Sequence, residues 1–163
     1  MAPNWKPSRT ARKAAERQTK KDRKAHEDRE KKKVRLRDKG CRFPLCGCKK
    51  LGRRLEVSHH VHKGSGGNPS GDRSMADIMV QLCVDRHQFS NVSIHKGTLR
   101  PVFLTAEKFN GPIAWEVDVS AMFSVGVQPD TFVEVGRESR RGVWDEFTPS
   151  QRVVLMALTA LDC

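Results

Sequence analysis

Apolar and polar positions divide the chain into stretches of different character. Over residues 9–37, "RTARKAAERQTKKDRKAHEDREKKKVRLR", strong helix formers follow one another with almost no large apolar side chain. The stretch predicts a solvated helix with little face to bury. Oppositely charged residues four apart, Glu16 with Lys20 and Glu27 with Lys31, support it weakly. "DKGC", Asp38 to Cys41, ends this arm, and "CRFPLCGCKKLGRR" reads as a cysteine-bearing turn.

Beyond it the period changes. "LEVSHH", Leu55 to His60, alternates apolar and polar residues as a short strand does. "KGSGGNPSGDRS", Lys63 to Ser74, is a loop by its glycine, proline and serine content. "MADIMVQLCVDRHQFSNV" opens as an apolar strand and turns helical after Cys83. "TLRPVFLT" and "IAWEVDV" predict two strands around the turn "AEKFNGP". "TPSQRVVLMALTALDC" predicts a helix with Thr148 as N-cap and Pro149 in its first turn, its apolar surface made by Val153, Val154, Met156, Leu158 and Leu161. The order of elements implies an α+β fold: a basic helical arm over 1–40, a core over 41–100, and a strand pair with a C-terminal helix over 101–163 completing the domain.

Charge sharpens this division. Residues 1–40 carry 16 Lys/Arg against 6 Asp/Glu, residues 41–100 carry 10 against 4, and residues 101–163 carry 5 against 9. Positive charge is therefore concentrated in the first hundred residues, where a polyanion is the natural partner. No apolar run approaches the roughly 18 residues needed to span a bilayer, and the arm has no apolar face for a membrane surface. The first residues, "MAPNWKPSRTARKAAERQTKK", contain no apolar core of a secretion signal. A reducing cytoplasm is the expected setting. Clustered thiols there point to metal rather than disulfides. Cys41, Cys46, Cys48 and Cys83 are such a cluster, and Cys163 stands apart as an incidental thiol.

Three of the six histidines, His59, His60 and His62, fall within four positions at the end of the first strand. His87 and Asn91 lie four apart and share a face if the segment after Cys83 is helical. A strand-end histidine opposite such a pair would supply one base and two metal ligands. Phosphodiester hydrolysis needs these parts: a divalent ion to neutralise charge developing on the phosphate, and a neutral imidazole to take a proton from water.

The stretch "LEVSHHVHKGSGG…LCVDRHQFSN" resembles the HNH endonucleases, with their ββα-metal motif. Gly66 stands seven residues after His59, and Cys83 four before His87, as in that family's usual spacing. The leader "RLRDKGCRFPLC" is similar to that of zinc-containing, phage-type members, and the likeness covers residues 36–100. It implies a metal-dependent endonuclease hydrolysing DNA. His59 would be the general base, and His87 and Asn91 would hold one Mg²⁺-like ion.

The match has departures. Ser58 stands where a metal-binding carboxylate or imidazole is usual. A shift of register would make His59 the ligand and His60 the base, although strand alternation forbids both from facing one site unless a bulge intervenes. The glycine spacing favours His59 as base. The motif's middle Asn is missing; Asp77 is the polar candidate for its loop-bracing role, Asn68 coming too early.

Cys41 and Cys46 have zinc-knuckle spacing, but Arg86 replaces the partner of Cys83. Cys48 is the expected fourth ligand of a structural zinc, with His62 as runner-up. Arg42, Lys49, Lys50, Arg53, Arg54, Lys63, Arg73 and Arg86 are expected to contact phosphate around the motif. The rivals are a non-catalytic, zinc-stabilised DNA-binding protein, a ribonuclease or toxin of the same fold, and a virion or packaging accessory. Residue types alone do not choose between them.

Overall fold

The fold is taken from a computed structural model, which describes residues 8–60, 75–122 and 131–161. It is α+β. Helix α1 spans Arg9–Asp38, and its end is set by Lys39, whose φ of 54° is left-handed and whose N–H bonds to the Arg35 carbonyl. Lys39, and not the following Gly40, therefore makes the turn out of the helix.

The two halves of α1 differ. Residues 12–25 are exposed throughout. Further on, Glu30 and Val34 are buried, one turn apart on a single face. Val34 packs with Val57 and Met79. The other ties are polar. The Ala76 N–H donates to Glu30 Oε2 at 3.0 Å, and the Gln81 N–H to Asp38 Oδ2 at 2.9 Å. Arg37 donates to the carbonyls of Ala76 (2.7 Å) and Met79 (2.6 Å). The helix thus docks by hydrogen bonds to backbone, which an apolar stripe cannot announce, and the expectation of a helix without a buried face is corrected for its last turns.

What α1 docks on is an antiparallel hairpin of β1 (Leu55–His59) and β2 (Met79–Cys83). The register pairs Leu55 with Cys83, Val57 with Gln81 and His59 with Met79. A helical turn, Asp85–Phe89, follows β2 almost at once. It is π-type and only five residues long, so the helix expected after Cys83 is reduced to this turn.

A second antiparallel sheet takes the order β3 (Leu99–Phe103), β4 (Ile113–Asp118), β5 (Phe132–Arg140), β6 (Val143–Trp144). Strands β3 and β4 match the expected pair. Strand β5 goes beyond it, because its inward positions include Gly136 and the buried Glu138, which break any apolar alternation. Gly136 packs closely: a Cβ there would lie 3.0 Å from both Phe147 and Pro44, which would have to give by a few tenths of an ångström.

Helix α2, Pro149–Leu161, begins with a reciprocal cap. The Gln151 N–H donates to Thr148 Oγ1 and the Thr148 N–H to Gln151 Oε1, as the sequence leads one to expect of Thr148. Leu155 and Leu158 face the core, whereas Val153 and Met156 are exposed, contrary to the expected apolar surface. The main core joins Trp115, Phe109, Leu82, Val80, Leu99, Val117 and Val135 to that face of α2. No helix among the described residues is long and apolar enough to cross a membrane.

Candidate metal centre and histidine site

The four clustered cysteines converge. The Sγ atoms of Cys41, Cys46, Cys48 and Cys83 all lie within 4.8 Å of one another. Cys46 and Cys83 are 3.7 Å apart. Zinc–sulfur bonds of about 2.3 Å in a tetrahedron require sulfur atoms about 3.8 Å apart, so the donor set fits such an ion. Cys48 completes the set, as expected, while His62, the runner-up, lies outside the described residues. The tight Cys46–Cys48 bite is made by the single helical turn Gly47–Lys49 and by Leu45, whose φ of 50° is left-handed.

The electrostatics of the cluster suit a cation. Four thiols in contact cannot all ionise unaided, so Cys41 is driven up as donor to Cys46, Cys48 and Cys83. Cys46, as acceptor from Cys41 and Cys83, is lowered to about 4. Cys48, accepting from Cys41 against the cost of burial, is lowered to about 7. The Cys83 N–H, 3.3 Å from Cys41 Sγ, adds a backbone donor to the cluster.

Two of the expected phosphate contacts are instead structural. Arg42 is 7% exposed and pairs with Glu138 through Nε (3.1 Å) and Nη2 (2.7 Å). It also donates to the carbonyls of Phe109 and Gly111, and its own carbonyl accepts from Trp115 Nε1 at 2.8 Å. Arg42 therefore locks the knuckle to the second sheet. Arg86 is 2% exposed, lies over the Phe43 ring at 4.8 Å and donates to the Leu158 carbonyl in α2 at 3.2 Å. Standing at the position that the partner of Cys83 holds in the resembled family, it joins the π-type turn to the last helix. Lys49, Lys50, Arg53 and Arg54 are on the surface, Arg53 beside Asp85 (3.2 Å) and Arg54 beside Glu56 (2.5 Å). Lys63 and Arg73 lie outside the described residues.

The expected site of His59, His87 and Asn91 is not assembled. Alternation along β1 sends His59 to the face of Val57 and Met79, towards α1, where its Nε2 is 4.0 Å from Glu27 Oε1. His60 turns to the opposite face, its ring against those of Phe103 (5.1 Å) and Phe109 (6.0 Å). Burial, and then the charge of Lys108, holds its imidazole below the ordinary value. Asn91 lies beyond the π-type turn, exposed, and its Oδ1 accepts from Lys96 Nζ at 3.0 Å. Asp77 meets Lys108 at 3.4 Å, and the loop it was expected to brace is outside the described residues.

His87 has a different partner. Its Nδ1 is 2.7 Å from Glu56 Oε2, and Gln88 Nε2 donates to the same oxygen at 2.7 Å. A carboxylate accepts only, so Nδ1 carries the proton and the neutral ring keeps its lone pair on Nε2. Burial pushes the Glu56 carboxyl up, but the hydrogen bonds from His87 and Arg54 and the charge of Arg54 outweigh it and leave it lowered. The His95 ring lies 4.5 Å from that of His87.

Two functional candidates were thus missed from sequence, Glu56 and His95. Glu56 and His87 are far apart along the chain, and only the β1–β2 register shows that they meet. His60 shares the Glu56 face but stands four residues along β1, about 13 Å away at strand spacing. Compared with family models, curated proteins and solved structures, the chain matches none.

Proposed function

We propose that this chain is a metal-dependent, HNH-type nuclease acting on DNA, with its chemistry centred on His87. The observation that carries the reading is the Glu56–His87 bond at 2.7 Å, just past a β-hairpin that cysteines tie to the chain's leader. The order of elements, strand, strand, helical turn, is that of the family the sequence resembles. Glu56 is a positioning residue: it fixes the ring and its tautomer, which strengthens the free nitrogen as a donor. His87 would hold a divalent ion there, and the chemistry so supplied would be Lewis acidity toward a phosphate oxygen and acidification of a water. In this reading neither His59 nor His60 takes the water's proton at His87.

The exposed half of α1 and the rim residues Lys49, Lys50, Arg53 and Arg54 supply phosphate contacts. They hold the duplex without reading its sequence.

Relaxation of supercoiled plasmid tests the proposal. Nicking that needs a divalent ion, stops with chelator and falls at least a hundredfold in His87→Ala is the expected result. Nicking that survives in His87→Ala removes the assignment.

A second reading has one observation in its favour: His59 and His60 stand on opposite faces, neither at His87. On that basis the chain is a non-catalytic, zinc-stapled DNA-binding protein. It would then bind duplex DNA with steep salt dependence and nick none under any metal.

A further inference from the structure

We infer that His87 and His95 form a two-imidazole site for a transition-metal ion, with Glu56 as its positioning carboxylate. The site is separate from the cysteine cluster. The inference rests on the proposed role of His87, but it names a second ligand and a class of ion that the reading of the sequence did not contain.

Geometry leads. A metal–nitrogen bond of about 2.0–2.1 Å, plus about 1.2 Å from nitrogen to ring centre, puts each ring centre about 3.2 Å from a bound ion. Two rings at ligand angles of about 90–110° then have centres about 4.5–5.3 Å apart. The observed separation is 4.5 Å, with planes at 71°. The separation of the ring centres is that of two imidazoles sharing one ion.

The segment carrying His95 is also fixed in advance. The His95 N–H donates to the His87 carbonyl at 3.2 Å, and the Ile94 N–H to the Arg86 carbonyl at 3.1 Å. Thr98 Oγ1 donates to the Asn91 carbonyl at 2.6 Å and accepts from the Ser93 N–H at 3.1 Å. The turn closes at Gly97, whose φ of 72° suits glycine. On the other side, Glu56 holds His87 and Gln88 holds Glu56.

The chemistry of the donors selects the ion. Imidazole suits zinc, nickel, copper and iron, whereas Mg²⁺ prefers carboxylate, carbonyl and water oxygens. Two imidazoles with the carboxylate in the second layer therefore favour Zn²⁺-like ions over the Mg²⁺-like ion expected from the sequence. His95 is exposed, so an ion held there would be reachable by solvent and substrate.

The test is calorimetric titration of the full chain with Zn²⁺, starting from protein carrying one equivalent in its cysteines and without DNA. A further equivalent should bind, and millimolar Mg²⁺ should not displace it. His95→Ala, a surface change, should weaken that second site at least tenfold, and His87→Ala should do the same. Glu56→Gln should weaken it by about 10–100-fold. The inference is overturned if wild type takes up no second equivalent, or if His95→Ala binds it unchanged. A second equivalent that is lost in His95→Ala, from a protein that nicks no plasmid, keeps this site and removes the nuclease reading. Nicking that depends on His87 but not on His95 keeps the nuclease reading and removes this site.

Discussion

The cysteine cluster and the histidine pair are two metal-fitting sites built on opposite principles. The cysteines offer four soft donors at tetrahedral spacing, drawn from the leader and from the end of β2, and they leave no coordination position open. The histidines offer two donors from two successive turns, one of them exposed, with a carboxylate behind. A closed site contributes folding free energy; an open one leaves room for water and substrate. On the proposed reading the difference gives stability to one and chemistry to the other, although fewer than 45 residues separate Cys46 from His87 in the chain.

The largest expected effect comes from breaking the closed site. Structural zinc contributes about 10–16 kcal/mol in small zinc domains, which matches or exceeds the whole stability of a typical domain, about 5–15 kcal/mol. Cys46→Ser, or a strong chelator, should unfold the hairpin and with it the π-type turn. Loss of the cooperative thermal transition by circular dichroism checks this. A chelated protein that melts as before would show that the thiols merely pack.

Next comes the interior arginine that resembles a phosphate contact. Arg42→Ala leaves Glu138 buried without its partner and should cost about 3–5 kcal/mol, read by urea denaturation. Arg54→Ala, at the surface, should leave stability within about 0.5 kcal/mol and weaken DNA binding instead. Equal losses of stability in the two would erase the distinction between interior and rim cations.

These two arginines show how far the sequence could be read. The hydrophobic pattern announces β1, β2, β3, β4 and the capped α2, because each carries its apolar residues in a short alternating or continuous run or at helical spacing. The spacing of the cysteines announces their cluster. What the pattern hides is held by polar groups. Helix α1 docks through Glu30, Arg37 and Asp38, and β5 turns Glu138 inward, so neither shows an apolar stripe. The charge of Arg42 and Arg86 is the same inside as outside, and only the fold reveals that each has carbonyl partners. The histidine site is hidden for another reason. The segment after Cys83 turns for five residues rather than forming a regular helix, so the four-residue spacing of His87 and Asn91 does not put them on one face.

A smaller effect distinguishes the histidines themselves. His60 is held below the ordinary 6.5 by burial and by Lys108, which also meets Asp77, so the folded state favours its neutral form. Its contribution to stability is then full above about pH 6.5 and declines as pH falls through the unfolded value toward the folded one. His60→Gln should flatten that part of the stability–pH curve, measured by thermal midpoints between pH 5 and 8. An unchanged slope would mean that His60 titrates like a solvent-exposed imidazole.

The division of labour is tested most directly by one paired reading of His87→Ala: its thermal midpoint and its plasmid-nicking rate, in protein whose cysteines are loaded with zinc. The account predicts a folded protein whose transition remains cooperative and whose nicking is at least a hundredfold slower than wild type. A folded His87→Ala protein that nicks at the wild-type rate contradicts it.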